Sequence, residues 1–262
     1  MNPALWISKT GLDAQQTNIS VTSNNLANAS TVGFKKGRAI FEDLLYQNVH
    51  QPGGRATADS NLPSGLMIGA GSKVVATQKS FTQGNVQTTD NALDVMIDGR
   101  GFFEVLLPDG TTGYTRNGQF ALNDEGIIVT PGNGYPLLPE MQIPENAQSI
   151  SVGTNGEVSV QLAGQAEGQV IGQIIVTDFA NPAGLQPKGE NLYLETQSSG
   201  APLQGIAGAD GFGNLKQGML ETSNVNVTEE LVNLIQAQRV YEMNSKVISA
   251  VDDMLAYVNQ QL

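Results

Sequence analysis

The chain has 262 residues, of which 40% are hydrophobic, so it can build a sizeable core as one large domain or two smaller ones. Its net charge of −12 is uneven, because residues 1–79 carry seven basic and four acidic side chains and the remainder carries a net −15. This acidic bulk argues against a nucleic-acid partner, which requires clustered Lys and Arg, and the absence of cysteine excludes disulfides and thiolate metal sites.

The first predicted element is a helix over residues 3–31. Its apolar residues recur every seven positions, at Leu5, Leu12, Ile19 and Leu26. The positions between them are crowded with Ser, Thr and Asn, which are poor helix formers because their side chains compete for the backbone. We therefore expect this helix to become fully ordered only by packing against another one.

The N-terminus lacks the features of a cleavable secretory signal, and no apolar run approaches the length of a membrane span. If the protein leaves the cytoplasm, we expect another export route to carry it.

A connecting segment follows, with Gly33 predicted to end the helix. It contains the chain's one basic cluster, Lys35, Lys36 and Arg38. We interpret that cluster as a solvated turn and not as a phosphate site, because the chain as a whole is acidic.

Residues 51–72 are too rich in Gly and Pro for a helix, so they predict a long loop or extended excursion. Loops of this length are usually functional or flexible. The residues that give the segment this character are Gln51, Pro52, Gly53, Leu62, Pro63, Ser64 and Gly65.

From Lys73 to about Gly218 the hydrophobic period becomes two and turns become dense, which predicts a β-rich domain. The predicted strands are 73–77, 95–97, 102–106, 127–129, 149–152, 157–160 and 169–176. Asp109-Gly110, Asn117-Gly118 and Asn155-Gly156 are predicted to be hairpin turns between them.

Residues 226–262 predict one uninterrupted helix, with Asn226 as its N-cap and Glu229 in the capping-box position. A heptad seam runs through Val227, Leu234, Tyr241, Ile248, Leu255 and Leu262, joined by Ala237, Val251 and Val258. Val240, Val247 and Met254 widen the apolar face beyond what a two-stranded seam requires. At about 1.5 Å per residue the helix is about 50 Å long, so it cannot bury this face within one compact subunit.

The predicted fold class is therefore α+β. We expect the N- and C-terminal helices to pair as an antiparallel coiled coil, with a β-rich domain inserted between them and an extended Gly/Pro-rich excursion. The predicted domains are a terminal coiled-coil core of residues 1–33 and 226–262, a connecting segment of residues 34–72, and a β-rich outer domain of residues 73–225.

Nothing in the sequence favours catalysis, and we predict no enzyme, cofactor or metal site. His50, the only histidine, is interpreted as an exposed loop residue. The repeated carboxylates Asp90, Asp94 and Asp98 lack a Ca²⁺-loop signature and are interpreted as surface charge. The stretch 69–73 lacks the residue order of a phosphate-binding loop, so its glycines are assigned to turn geometry.

Three motifs resemble those of the bacterial flagellar rod and hook proteins. The N-terminal one is Asn24-Asn25-Leu26-Ala27-Asn28 followed by Gly33-Phe34-Lys35. The central one runs from Asn91 to Phe103 and continues at Tyr114-Thr115-Arg116-Asn117-Gly118. The C-terminal one comprises residues 217–226 and 238–244. Within the family, the excursion is similar to the segment that sets distal rod subunits apart from hook subunits.

This resemblance implies a structural subunit that leaves through the flagellar type III export apparatus and polymerises helically in the periplasm, within the basal body. The implied partners are further copies of itself, proximal rod proteins, hook or hook-adjacent subunits, the P and L ring proteins and the rod cap. No nucleic acid or small-molecule substrate is implied.

The predicted subunit interface combines the apolar positions of both helices, namely Leu5, Leu12, Ile19, Leu26, Val227, Leu234, Tyr241, Ile248, Leu255, Val240, Val247 and Met254. The seven residues that characterise the excursion form a predicted rod-specific loop that braces neighbouring subunits.

Two alternatives remain open at this point. One is a proximal rod or hook-type subunit of the same family. The other, from a different class, is a secreted cell-wall-binding β domain with helical oligomerisation ends.

Overall fold

A computed structural model describes residues 3–50, 55–57, 60–61, 64–163 and 168–261. The chain divides into two compact units. The first combines the two chain ends, up to Ala27 and from Asn226, with residues Gly37–Gln78; the second comprises Asn28–Lys36 and Lys79–Val225. The class is α+β, with a helix at each end of the chain and strands between them.

The first unit contains two long helices and three pairs of strands. The helices are α1 (Pro3–Ala27) and α2 (Val227–Gln261). The strands are β1 (Gly37–Asp43), β2 (Tyr46–His50), β3 (Arg55–Thr57), β4 (Ser60–Asn61), β5 (Leu66–Gly69) and β6 (Ser72–Lys79). β1 pairs with β6, β2 with β5 and β3 with β4, so the predicted excursion includes strands among its described residues.

The start of α2 is as predicted. The Asn226 side-chain oxygen accepts hydrogen bonds from the backbone N–H groups of Thr228 at 3.1 Å and Glu229 at 3.4 Å. These bonds satisfy donors that the first helical turn leaves without a partner. No helix among the described residues is long and apolar enough to cross a membrane.

The end of α1 is not where the sequence indicated. The helix ends at Ala27, and residues 28–33 form turns in which the Thr31 N–H donates to the Asn28 carbonyl at 3.2 Å. The prediction that Gly33 ends the helix was wrong, because the Asn- and Ser-rich stretch after Ala27 forms local turns instead of extending the helical ladder.

The second unit consists of short strands and one turn of 3₁₀-helix at Pro182–Gly184. The strands are β7 (Val86–Thr88), β8 (Val95–Asp98), β9 (Phe102–Leu106), β10 (Thr112–Thr115), β11 (Ala121–Leu122), β12 (Ile128–Val129), β13 (Ala147–Val152), β14 (Glu157–Leu162), β15 (Gln169–Gln173), β16 (Ile175–Asp178), β17 (Gln186–Gly189), β18 (Leu192–Leu194), β19 (Leu203–Ile206), β20 (Asn214–Gln217) and β21 (Met219–Glu221).

The main sheet of this unit has six antiparallel strands in the order β17-β18-β10-β9-β16-β19. A three-stranded sheet has the order β13-β14-β15, and β20 pairs with β8, β21 with β7 and β11 with β12. Strands close to the end of the unit thus pair with strands from its beginning.

The main sheet packs apolar side chains on both faces. Alternation along β9 places Phe103 and Val105 in the larger core, with residues from β8, β14 and β16. Phe102 belongs instead to a smaller aromatic cluster with Tyr114, Phe179, Leu185 and Tyr193. Because both faces are covered, β9 does not alternate strictly between apolar and polar residues, and its one charged residue, Glu104, is buried and accepts hydrogen bonds from Thr177 and Gln204.

Most of the predicted strands are confirmed, with differences at their ends. The predicted strand over 169–176 is two strands, β15 and β16, which belong to different sheets. Asp109-Gly110 and Asn155-Gly156 lie between paired strands as predicted, whereas the hairpin at Asn117-Gly118 was wrong because β10 and β11 do not pair.

A buried charge cluster lies in the second unit, and it contradicts the interpretation of Lys35 as part of a solvated turn. The Lys35 ammonium is fully buried, 2.5 Å from Glu221 Oε1, and donates to the Thr82 carbonyl at 2.8 Å. Arg116 Nη1 lies 3.5 Å from Glu221 Oε2. Burial lowers the pKa of Lys35, and the Glu221 carboxylate opposes that shift.

The same cluster joins the two segments that lead towards the helices. The Gly33 N–H donates to the Glu221 carbonyl at 2.8 Å, and the Lys36 N–H donates to Asn224 Oδ1 at 2.7 Å. Lys35 was misread because a charged side chain is usually solvated, and its partner is 186 residues away in the sequence.

Gly33 has φ +70°, a backbone conformation that favours glycine. It lies against the backbone of Arg116 and Asn117, which directly follow β10. A Cβ at this position would lie 2.7 Å from Asn117 N and 2.8 Å from the Arg116 carbonyl carbon. Neither atom can move without displacing the backbone, so only glycine fits.

We expect Glu221→Gln to lower the free energy of unfolding by about 3–5 kcal/mol, because it leaves two buried cations with no carboxylate. Lys35→Met should cost less, since Glu221 keeps Arg116 as a partner. Urea unfolding monitored by circular dichroism measures both. Lys216→Met is the control, because its pair with Asp98 at 2.7 Å is solvent-exposed and should contribute less than about 1 kcal/mol. Equal losses for Glu221→Gln and Lys216→Met would contradict a buried role for the cluster.

We expect Gly33→Ala to destabilise the protein more than Gly110→Ala. Gly110 also has a positive φ, +79°, but a Cβ there meets no atom within 4 Å, so its replacement costs only about 1–2 kcal/mol of backbone strain. Gly33→Ala adds the backbone clash. The difference in free energy of unfolding between the two variants measures that clash, and two equal values would show that the close approach is absent.

Candidate assembly surface

Helices α1 and α2 pack side by side in the first unit and run antiparallel. Asn25, near the end of α1, donates to Glu230 Oε2 near the start of α2, at 3.3 Å. Fourteen residues back along α1, a Cβ on Gly11 would lie 3.0 Å from the Asn244 amide, which is fourteen residues further along α2. The absence of a side chain at Gly11 therefore allows close approach of the two helices.

Small and polar residues occupy the positions that α1 buries most, namely Ser8, Ala14, Thr22 and Asn25. The apolar series Leu5, Leu12, Ile19 and Leu26 is half-buried. The leucines of α1 are therefore not fully covered within one subunit, and they retain apolar surface for further contacts.

Asn25 connects three parts of the unit. Its Nδ2 donates to the Gly37 carbonyl at 2.8 Å, its Oδ1 accepts from the Gly37 N–H at 2.8 Å, and the same amide group reaches Glu230. Both Asn25 and Glu230 are buried. A buried polar pair of this kind favours one register of a helix pair, because a shift would leave both groups unsatisfied.

The predicted seam of α2 is covered unevenly. Ala237 and Val251 are buried, and Leu234, Val240 and Ile248 are half-buried. The remaining predicted interface residues of α2 are exposed, and they are Val227, Tyr241, Val247, Met254 and Leu255. The structure thus brings the middle of the seam to α1 and leaves most of the wider apolar face open.

Sequence reasoning missed a further exposed apolar group on α2, formed by Leu231, Val232 and Ile235. The signal was present, because residues spaced three and four apart share a helix face. These three residues lie outside the heptad series, so heptad spacing alone does not select them.

The hairpin of β2 and β5 exposes apolar side chains to an unusual degree. Leu45, just before β2, is 89% exposed, and Tyr46, Val49, Leu66 and Met67 are exposed as well. A hydrogen bond between the Tyr46 hydroxyl and the Asp43 carboxylate raises the pKa of Tyr46. A two-stranded hairpin with so little apolar burial has no core of its own.

Most of the predicted rod-specific loop lies outside the described residues, namely Gln51, Pro52, Gly53, Leu62 and Pro63. Ser64 is exposed and Gly65 is half-buried, immediately before β5.

The candidates for metal or catalytic chemistry do not converge. His50 is exposed at the end of β2. Asp94 is buried, so its interpretation as surface charge was wrong, and its Oδ1 accepts from Asn91 Nδ2 at 3.1 Å. A hydrogen bond from Lys216 lowers the pKa of Asp98. Within the part of the chain that the structure describes, no three His, Asp or Glu side chains are grouped to hold a metal ion.

Sequence models of flagellar families match three stretches of the chain. The flagella basal body rod protein family matches residues 6–35, the D1 domain of the flagellar hook protein FlgE/F/G family matches residues 96–160, and the C-terminal region of the flagellar basal body rod FlgEFG proteins matches residues 216–261.

Curated relatives match over nearly the whole length. The flagellar basal-body rod protein FlgG of Buchnera aphidicola subsp. Schizaphis graminum is 54% identical, covering 99% of this chain and 100% of that protein. The FlgG protein of Borreliella burgdorferi is 46% identical, covering 99% of this chain and 98% of that protein. The FlgG protein of Bacillus subtilis is 40% identical and covers 96% of each chain. With identities of this size over the full length, the chain belongs to the FlgG family of flagellar basal-body rod proteins.

Proposed function

We propose that this chain is a structural subunit of the distal rod of the bacterial flagellum and polymerises helically into a rigid drive shaft that transmits torque through the ring bushing to the hook. The observation that carries the proposal is apolar surface on the terminal helices and on the β2–β5 hairpin that one subunit leaves exposed. The relatives that match the whole chain are named basal-body rod proteins.

The exposed apolar surface is large enough to drive assembly. Eleven large apolar side chains among the described residues of α2 are exposed. Covering the exposed half of each contributes about 1 kcal/mol, so the gross stabilisation is on the order of 10 kcal/mol per subunit before the ordering entropy is subtracted. Surface patches of this size usually mark interaction sites.

The two helices form an antiparallel coiled coil in this proposal. Leu234, Ala237, Ile248 and Val251 are the least exposed residues of the predicted seam and follow its heptad spacing. The exposed stripe of Val247 and Met254, together with the half-covered leucines of α1, then packs against neighbouring subunits. The domains follow as a coiled-coil core of residues 1–33 and 226–262, a connecting segment of residues 34–72 and an outer domain of residues 73–225.

The β2–β5 hairpin and the rod-specific loop brace adjacent subunits and keep the polymer straight. A strand pair with exposed apolar residues gains stability when a neighbour covers it, and that contact restricts bending.

The proposed partners are further copies of the chain, proximal rod proteins, hook or hook-adjacent subunits, the P and L ring proteins and the rod cap. The chain reaches its place in the periplasm through the flagellar type III export apparatus.

Removing residues 1–27 and 226–262 should abolish polymerisation and leave a soluble monomer, because the apolar helices are the proposed assembly surface. Sedimentation and electron microscopy of the full-length and trimmed proteins measure the difference. Circular dichroism of the trimmed protein is the control for folding of the β unit. Rods formed by the trimmed protein would contradict assembly through the helices.

Deleting residues 51–65 should leave polymerisation intact but give a curved or more flexible rod, since the rod-specific loop that braces neighbouring subunits is lost. Bending measured along filaments in electron micrographs tests this expectation. Replacing the exposed Leu66 and Met67 with Ser is a matched variant that keeps the chain length and should loosen the rod to a smaller extent. A deletion variant that forms straight rods of ordinary stiffness would exclude bracing by this segment.

A further inference from the structure

An open apolar groove lies in the first unit, between the first turns of α1 and the hairpin strand β5. Pro3, Trp6 and Ile7 form one wall, and Ile68 and Ala70 form the other, around a volume of about 260 Å³. Trp6 is 52% exposed, which is unusual for the largest apolar side chain. The Lys9 ammonium lies 5.3 Å from the Trp6 ring centroid, so the rim of the groove carries positive charge.

The end of α2 extends beyond the start of α1. The contacts Asn25–Glu230 and Gly11–Asn244 show which residues of the two antiparallel helices lie opposite each other. Eight residues from Gly11 towards the start of α1 and eight from Asn244 towards the end of α2 place Pro3 opposite Asp252. Residues 253–261, which we call the overhang, therefore project past α1 by about 13 Å, at about 1.5 Å per residue.

The overhang exposes apolar side chains. Met254 is 59%, Leu255 45% and Val258 52% exposed. Asp252 and Asp253 stand at its start, and their charge is opposite to that of Lys9 beside the groove. An exposed ion pair adds little affinity, but complementary charge selects orientation.

Groove and overhang are two different surfaces of the same chain, and both are open in a single copy. When each copy inserts its overhang into the next copy and receives one from the copy before, the contact is heterologous, so a free groove remains at one end of the row of subunits and a free overhang at the other. Repeated in this way, the contact extends into a polymer, which is the geometry that a helical rod requires, whereas two copies that exchanged overhangs would close into a dimer.

We propose that the overhang of one subunit docks into the Trp6 groove of the next subunit, with its apolar face against Trp6 and Ile68 and its acidic start near Lys9. The inference deepens the proposed function and depends on it, because the occupant is a second copy of this chain. Trp6 becomes buried in the polymer, and a disulfide between groove and overhang identifies the overhang as the segment that covers it.

The chain is well suited to a direct test because it has no cysteine and one tryptophan. One full-length variant carries Ile68→Cys in the groove, and another carries Val258→Cys in the overhang. Both positions are exposed, so neither substitution disturbs a core. The two variants are mixed, polymerised and oxidised, and the disulfide-linked dimer is quantified on a denaturing gel. A disulfide requires Cα atoms within about 7 Å, so the bond reports close contact.

The control replaces Val258→Cys with Val170→Cys, an equally exposed position on β15 in the other unit. We expect the yield of disulfide-linked dimer from Ile68→Cys mixed with Val258→Cys to be well above the yield from the control mixture. In the protein without cysteines, the fluorescence of Trp6 should shift to shorter wavelength on polymerisation.

Polymers that show neither the mixed disulfide nor the fluorescence shift would overturn the docking and leave the proposed function intact. A yield of mixed disulfide no higher than that of the Val170→Cys control would overturn the docking as well. A full-length protein that forms no polymer would contradict the proposed function, and this inference with it.

Discussion

The structure depends on one constraint, which is that two helices of unequal length and unequal composition must share one interface. α1 has 25 residues and α2 has 35, and the buried positions of α1 are small or polar. The pair is therefore held by close approach at Gly11 and by the Asn25–Glu230 contact, and not by an apolar seam alone. Leucines that a self-sufficient pair would bury remain half-exposed, so the helices have surface left for neighbouring copies.

The second unit is stabilised in a different way. Its sheets enclose an apolar core and an aromatic cluster, and it needs no further partner to bury them. The charged cluster of Lys35, Arg116 and Glu221 holds the residues that follow α1 beside those that precede α2. Removing one member of such a cluster leaves an uncompensated buried charge, so these segments are held together.

Much of the fold was predictable, and the errors have physical causes. The N-cap at Asn226, the single long C-terminal helix and eight of the twenty-one described strands followed from capping residues and hydrophobic period, which are local signals. The other strands were missed because most are short, and some, such as β20 and β21, pair with β8 and β7, which are distant in sequence. Gly33 and Lys35 were misplaced because the Asn117 backbone and the Glu221 carboxylate that define their environments come from remote segments.

The sequence by itself determined the class of protein: helical ends that one subunit cannot fully bury and a β-rich middle. It also identified the candidate apolar positions, because heptad spacing is a local property of the chain. Only the tertiary structure decided which of them face α1 and which stay open, since that depends on helix register, which Asn25 and Gly11 set through contacts more than 200 residues apart. It likewise placed Trp6 beside Ile68 and left the end of α2 projecting, because neither feature exists until the helices and the hairpin pack together.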